Sequence, residues 1–138
     1  MHLRTGLFIF LSAVSFFIFM ADTVPAFCVY NNTADSGVYF EQTGGGDVLK
    51  GKAAFYANLY PGGARCCHWR DRSCNKKGTN TAPVTFNITV YEREEKADIG
   101  RRVLRTFEKV ALPADASIEV TGAAGGRGEN FRINIFNE

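Results

Sequence analysis

The sequence has few of the side chains that hydrolases use as nucleophile and base. It contains two histidines, His2 and His68, and no G-x-S-x-G segment that would mark a nucleophilic serine. The glycine-rich stretch at residues 122–128 lacks the Lys-Ser/Thr pair of a phosphate-binding loop and is typical of a hairpin loop. These absences predict that the chain is not an enzyme and needs no cofactor.

One acidic cluster keeps a weaker alternative open. Glu92, Glu94 and Glu95 could supply the paired carboxylates of a small glycoside-type hydrolase. Arg93 and Lys96 lie beside them, and this mixture of charges favours a solvated face over a catalytic pair.

Long apolar runs are also scarce, and the single one lies at the N-terminus. Residues 1–6 include Arg4 and no acid, residues 7–20 are apolar except for two serines, and Val24 and Ala26 are small residues suited to a cleavage site. This order predicts a secretory signal peptide at residues 1–26, cleaved before Phe27. The alternative, a membrane anchor, needs about 20 apolar residues, so the run is too short.

Removal of the signal peptide leaves residues 27–138, a length that suits one secreted domain. The whole chain has 16 Lys and Arg against 14 Asp and Glu. So small a net charge argues against nucleic acid as a partner, and no second apolar run would anchor the protein in a membrane.

The four cysteines all lie in the predicted secreted part: Cys28, Cys66, Cys67 and Cys74. An even number in an oxidising compartment predicts two disulfides. A bond within the vicinal pair is strained, so Cys28 should pair with Cys66 or Cys67 and Cys74 with the other. His68 beside the pair raises the alternative of a metal site, but no C-x2-C arm is present and none is predicted.

Residues 27–138 are dominated by strand and turn patterns. Strands are predicted at 27–30, 38–42 and 52–60, around Asn87, at 103–112, around 118–120 and at 131–135, with turn residues at 31–37. The clearest alternation has four apolar residues facing inward: Val84, Phe86, Ile88 and Val90. The fold class is therefore all-β, an antiparallel β-sandwich of seven or eight short strands stapled by disulfides.

Two sequons for N-linked glycosylation are present, at Asn31 and at Asn87. The parity of the surrounding strand places Asn87 on its polar face, where a glycan is sterically possible. The alternative is that both sequons are unused.

The most unusual segment runs from residue 65 to residue 77 and combines cations, three cysteines and the only tryptophan. Tryptophan and arginine dominate interaction hot spots, and guanidinium groups bind sulfate, phosphate or carboxylate bidentately. The alternative is that Trp69 packs over the disulfides and the cations only solvate the loop. The candidate binding residues are Arg65, His68, Trp69, Arg70, Arg72, Lys76 and Lys77.

The series PGG…CCxW…CN, which includes Pro61, Trp69 and Cys74, is the most specific part of a similarity that covers roughly residues 27–90. Over this range the chain resembles small secreted cysteine-containing β-sandwich proteins of filamentous fungi. Such proteins often lack a known activity, and some act on a host or on the fungal wall. The resemblance implies an extracellular role and no particular reaction.

The leading hypothesis is a secreted, non-catalytic interaction protein, with a host-directed effector as its most specific form. The second hypothesis is an extracellular carbohydrate or cell-wall binder that stacks sugars on Tyr39, Tyr56, Tyr60 and Trp69. The expected partner is an extracellular protein or glycan.

Overall fold

Eight β-strands make up the regular structure in residues 27–47, 55–93, 101–125 and 130–137, the part of the chain that the computed structural model describes. They are β1 (Phe27–Thr33), β2 (Ser36–Gly44), β3 (Tyr56–Leu59), β4 (Ala64–Cys67), β5 (Pro83–Glu92), β6 (Val103–Pro113), β7 (Ala116–Gly122) and β8 (Arg132–Asn137). Two four-stranded sheets result, sheet A with the order β4-β1-β7-β8 and sheet B with the order β3-β2-β5-β6. The predicted all-β, disulfide-stapled sandwich is confirmed. No helix that could cross a membrane occurs within these ranges.

The core lies between the inward faces of the two sheets, where buried apolar residues alternate with less buried ones along strands such as β2 and β5. The four inward residues predicted on β5 are fully buried. The rings of Phe27, Phe55 and Phe86 meet edge to face, with centroids 5.0, 5.2 and 6.1 Å apart. This aromatic cluster supports the side of the sandwich where β3 and β4 lie.

One pair of strands departs from the predicted antiparallel arrangement. β1 and β7 pair in parallel, with Val29 opposite Ile118 and Asn31 opposite Val120. Parallel neighbours need a long crossover connection, and here β2 to β6 intervene between the two strands. Short hairpin signals could not reveal a pairing between such distant segments.

The structure also differs from the sequence prediction in one turn and two strands. β1 continues to Thr33 and β2 begins at Ser36, so the turn predicted at residues 31–37 shrinks to Ala34 and Asp35. Ala64–Cys67 forms β4 because it pairs with β1, although its sequence was interpreted as part of a loop. The strand predicted at 52–60 is present as β3, and residues 48–54 lie outside the described residues.

Two sequence predictions fall outside the described ranges. They are the signal peptide predicted at residues 1–26 and two members of the acidic cluster, Glu94 and Glu95. The third, Glu92, ends β5 and pairs with Arg102 at 3.8 Å, so this carboxylate belongs to a surface ion pair.

Candidate functional site

Both disulfides converge on one side of the sandwich. Cys28 and Cys66 are directly opposite each other on β1 and β4 and form one bond, and Cys67 and Cys74 form the other. The prediction of two bridges that share out the vicinal pair is confirmed, and the structure selects one of the two pairings left open. We call residues 67–74 the cross-linked loop.

Backbone hydrogen bonds give the cross-linked loop a compact shape. The Asp71 N–H donates to the His68 carbonyl at 2.8 Å, and the Asp71 carbonyl accepts from the Cys74 N–H at 3.1 Å. The Ser73 hydroxyl and N–H donate to the Asp71 carboxylate at 2.7 and 2.9 Å, and these bonds lower the pKa of Asp71. The loop is therefore ordered by its own turns as well as by the covalent bridge.

The end of β2 anchors the loop to the sandwich. The buried Gln42 amide donates from Nε2 to the Cys74 carbonyl at 2.6 Å and to the Gly44 carbonyl at 3.0 Å. The Asp47 N–H donates to the Arg72 carbonyl at 3.1 Å. These contacts fix the loop relative to sheet B.

A depression of about 250 Å³ opens between β3 and β4, where the edges of the two sheets meet. Its lining comes from both strands and the cross-linked loop: Phe55, Tyr56, Arg65, Cys66, Cys67, His68, Asp71 and Ser73. Arg65 spans the edge, since its guanidinium donates to the Tyr56 carbonyl at 3.0 Å and lies 5.5 Å from the centre of the Phe55 ring. The depression thus combines an aromatic wall with an arginine, a carboxylate and a hydroxyl.

Trp69 has a structural and a surface role together. Its side chain is half-buried and packs against the hydrophobic core. The His68 ring stacks on it at 5.7 Å, and the Arg70 guanidinium lies 4.7 Å from its ring centre. The indole therefore packs against the core, as one of the two interpretations of Trp69 expected, while Arg70 remains exposed at the surface.

Two of the predicted binding cations already form ion pairs within the protein. Arg72 and Lys76 pair with the Asp47 carboxylate at 3.7 and 3.3 Å. Both cations stay mostly exposed, so these pairs lie at the rim where water screens them. Lys77 is also exposed. The structure therefore gathers all seven candidate residues on the side of the molecule that carries the cross-linked loop.

Three residues of the types that bind metal ions lie close together at the second disulfide. Ligand atoms of Cys67, Asp71 and Cys74 lie within 4.8 Å of one another. The two sulfurs are bonded to each other, so neither offers a thiolate to a metal ion.

The sequon at Asn31 conflicts with the fold. The Asn31 side chain is fully buried, and its Nδ2 donates to the carbonyls of Ser36 and Leu59 at 2.9 and 2.8 Å. A glycan would need this nitrogen and the space around it, so the burial of Asn31 favours the alternative that this sequon is unused. Asn87 is half-buried and accepts the Lys109 N–H at 3.0 Å through Oδ1, so a glycan there remains a prediction.

The four proposed stacking residues divide between two places. Tyr39 and Tyr56 face outward on β2 and β3, with Tyr60 just beyond β3, whereas Trp69 belongs to the cross-linked loop and packs against the core. Sequence reasoning did not identify Tyr91, Asn58 or Glu41, which share the outer face with the tyrosines. Strand parity could have suggested Glu41, but the position of Tyr91 depends on the pairing with Gly37.

No family model, curated protein or solved structure matches the chain.

Proposed function

We propose that this chain is a secreted, non-catalytic binding protein that contacts an acidic extracellular partner through the cross-linked loop and the adjacent depression. The observation that carries the proposal is the convergence of both disulfides on this depression. Cys66 and Cys67, one from each bridge, lie in its lining. The strands thereby support a contact surface that is held covalently.

A rigid surface favours binding because little conformational entropy is lost when a partner docks. The loop is closed by a disulfide between cysteines that are 7 positions apart in sequence, and it is anchored to β2 through Gln42. The partner therefore meets a preformed arrangement of side chains.

Charge supports an acidic partner. This surface has more positive than negative charge. Its nearby carboxylates are Asp47 and Asp71, and its basic residues are Arg65, Arg70, Arg72, Lys76 and Lys77. Arg65 and Arg70 rest on aromatic rings, which orient the guanidinium groups for bidentate contacts with carboxylates. Arginine and tryptophan together are the usual centre of an interaction hot spot.

The resemblance to secreted fungal proteins extends the proposal to a host-directed role. Two observations are compatible with export: all four cysteines are paired, and no described helix could span a membrane. An exported interaction protein would meet its partner in the extracellular fluid of the host.

The experiment compares two double variants that each remove two exposed arginines. Arg70→Ala with Arg72→Ala alters the loop, and Arg102→Ala with Arg132→Ala is the control, with Arg102 just before β6 and Arg132 at the start of β8. Each pair contains one arginine in a surface ion pair, so both should leave the melting temperature nearly unchanged. Immobilised protein captures a partner from extracellular fluid, and the dissociation constant of the identified partner is then measured at two salt concentrations.

We expect the loop variant to bind about tenfold more weakly and to show a smaller salt dependence, because two of the five basic residues are removed. The control variant should bind as the unmodified protein does. Equal binding by both double variants, or a captured partner that binds equally well at high salt, would place the contact surface elsewhere.

A further inference from the structure

The outer face of sheet B carries a second organised surface, which adjoins the depression at Tyr56 and extends away from the cross-linked loop. Outward residues of β3, β2 and β5 align in rows across the strands. One row contains Tyr56, Glu41 and Asn87, and the next contains Asn58, Tyr39 and Thr89. At the end of the sheet, Gly37 is opposite Tyr91, and Tyr60 follows β3 with the same parity as Tyr56 and Asn58. We call these residues the tyrosine face.

The end row is shaped by a glycine. A Cβ at residue 37 would overlap the Tyr91 ring, so the ring lies across Gly37. From there the Tyr91 hydroxyl donates to the Asn58 Oδ1 atom, and the Arg101 guanidinium lies 4.7 Å from the Tyr91 ring centre. Tyr91 is therefore a buried support that orients the Asn58 amide on the surface.

Two of the tyrosines are prominently exposed. Tyr56 and Tyr60 have 54% and 55% of their surface accessible, and Tyr39 lies half-buried between the strands. Burial, and then the neighbouring Glu41 and Tyr56, raise the pKa of Tyr39, so its hydroxyl remains a hydrogen-bond donor at neutral pH. Flat rings thus alternate with donors and acceptors over three strands.

The described outward positions of β2, β3 and β5 hold tyrosine, asparagine, threonine, glutamate and glycine, with Pro83 at the start of β5 as the one apolar exception. The exposed Val103 of β6 lies opposite Tyr91 at the end of the sheet, outside the two central rows. The core of a protein–protein interface is more apolar and depleted in such charges. A sugar ring, by contrast, offers an apolar C–H face for an aromatic ring and a rim of hydroxyls for amides and carboxylates.

We propose that the tyrosine face binds a neutral, extended oligosaccharide, by stacking on Tyr39, Tyr56 and Tyr60 and by hydrogen bonds to Asn58 and Glu41. The proposal stands independently of the acidic partner of the cross-linked loop. It gives the domain two contact surfaces, one for an acidic protein and one for a glycan.

Length and charge define the ligand further. Tyr56 and Tyr60 are four residues apart, which corresponds to about 13 Å along an extended strand. That span exceeds one sugar ring, so several linked units are required. Glu41 is the one ionisable carboxylate in these rows and disfavours acidic sugars near the centre of the face. The Arg93 guanidinium, 5.5 Å from the Tyr60 ring centre, offers further donors at the end of the site.

The sequon at Asn87 provides a sharp internal check. Asn87 lies in the same row as Tyr56 and Glu41, so a glycan attached to it would cover the face. Carbohydrate binding here requires an unmodified Asn87. Intact-mass analysis of the naturally secreted protein should therefore show no glycan at this residue, and full occupancy of the site would overturn the proposal.

The binding experiment uses secreted protein from a host that does not glycosylate, with cellohexaose and chitohexaose as the extended probes. Maltohexaose serves as the coiled comparison. Isothermal titration is performed on the unmodified protein, Tyr60→Ala, Tyr39→Ala and Tyr60→Phe. Phe136→Ala is the matched control, because Phe136 is an aromatic residue, 38% exposed, on sheet A.

We expect at least one extended hexasaccharide to bind, with little dependence on salt and more tightly than maltohexaose. Each alanine variant should raise the dissociation constant about tenfold, whereas Tyr60→Phe and Phe136→Ala should leave it nearly unchanged. The loop variant with Arg70→Ala and Arg72→Ala should also bind normally, so the two proposals can fail separately. Failure of both extended probes to bind, equal binding by the alanine variants, or a protein captured through these tyrosines in place of a sugar would overturn the inference.

Discussion

Asn31 shows how one buried polar residue can connect distant parts of a small domain. Its amide donates to the carbonyls of Ser36 and Leu59, while its Oδ1 accepts from the N–H and hydroxyl of Thr33. Its backbone also exchanges hydrogen bonds with Gly62 and Gly63 in the turn between β3 and β4. The residue therefore joins the β1–β2 turn to that second turn.

Replacing Asn31 by Ala should lower the free energy of unfolding by about 3 kcal/mol, because several buried partners lose their hydrogen bonds. Asn32→Ala is the neighbouring control. Asn32 is exposed and bonds only to the surface carboxylate of Glu119, so its loss should cost about 1 kcal/mol or less. Urea denaturation of both variants measures the difference, and similar midpoints would contradict the role assigned to Asn31.

Phe86 shows how much a single buried side chain contributes to the stability of the core. It is fully buried and meets both Phe27 and Phe55 edge to face. Phe86→Ala should cost about 3–5 kcal/mol through the cavity that it leaves. Thermal unfolding checks this value, with the loop arginine double variant as the comparison that should retain its stability. A small loss for Phe86→Ala would mean that the core closes around the gap.

At the scale of elements, the alternating strands were predictable and their partners were not. The pattern from Val84 to Val90 identifies a half-buried strand because period-two burial is local. β4 has no such pattern, and its strand conformation comes from pairing with β1, which is distant in sequence. The burial of Asn31 could not be predicted for the same reason. A short polar residue near a turn signal is expected at the surface, and the Leu59 carbonyl that accepts its hydrogen bond is distant in sequence.

The candidate surfaces were predictable to different degrees. The composition of residues 65–77 alone identified the basic loop, and cysteine spacing narrowed the disulfides to two pairings. The tyrosine face requires the register of three strands, which places Tyr39 beside Asn58 and Gly37 beside Tyr91. Sequence could supply the individual tyrosines but not their arrangement.

The two disulfides should contribute unequally to stability, because they close loops of different length. Cys28 and Cys66 are 38 residues apart in sequence, and Cys67 and Cys74 are 7 apart. Chain entropy predicts losses of about 4 and about 2 kcal/mol when each bridge is replaced by a pair of alanines. Chemical denaturation of the two double variants gives the comparison.

Binding should show the opposite order, because the shorter bridge encloses the cross-linked loop. The Cys67→Ala and Cys74→Ala variant should bind the acidic partner more weakly than the other double variant while remaining the more stable of the two. If loss of the longer bridge weakened binding more, a preformed loop would not be the basis of partner recognition.

For the whole molecule, the signal peptide predicts that the secreted form begins at or near Phe27. The predicted cleavage site lies at the start of β1, and Phe27 itself is buried in the core. N-terminal sequencing of secreted protein tests this expectation. A chain recovered in the membrane with Met1 still attached would refute it.

The parallel pairing of β1 and β7 has a consequence for the order in which the domain is assembled. The Cys28 N–H donates to the Ser117 hydroxyl, 89 residues further along the chain. β1 is made early, yet its place in sheet A is complete only after β7 has been synthesised. During that interval β4 alone can hold β1 in sheet A, so the Cys28 thiol can reach Cys67 and Cys74 as well as Cys66, which lies opposite it in the finished sheet. For the secreted protein that we propose, arrival of the C-terminal strands would then be the late step that fixes which disulfides persist.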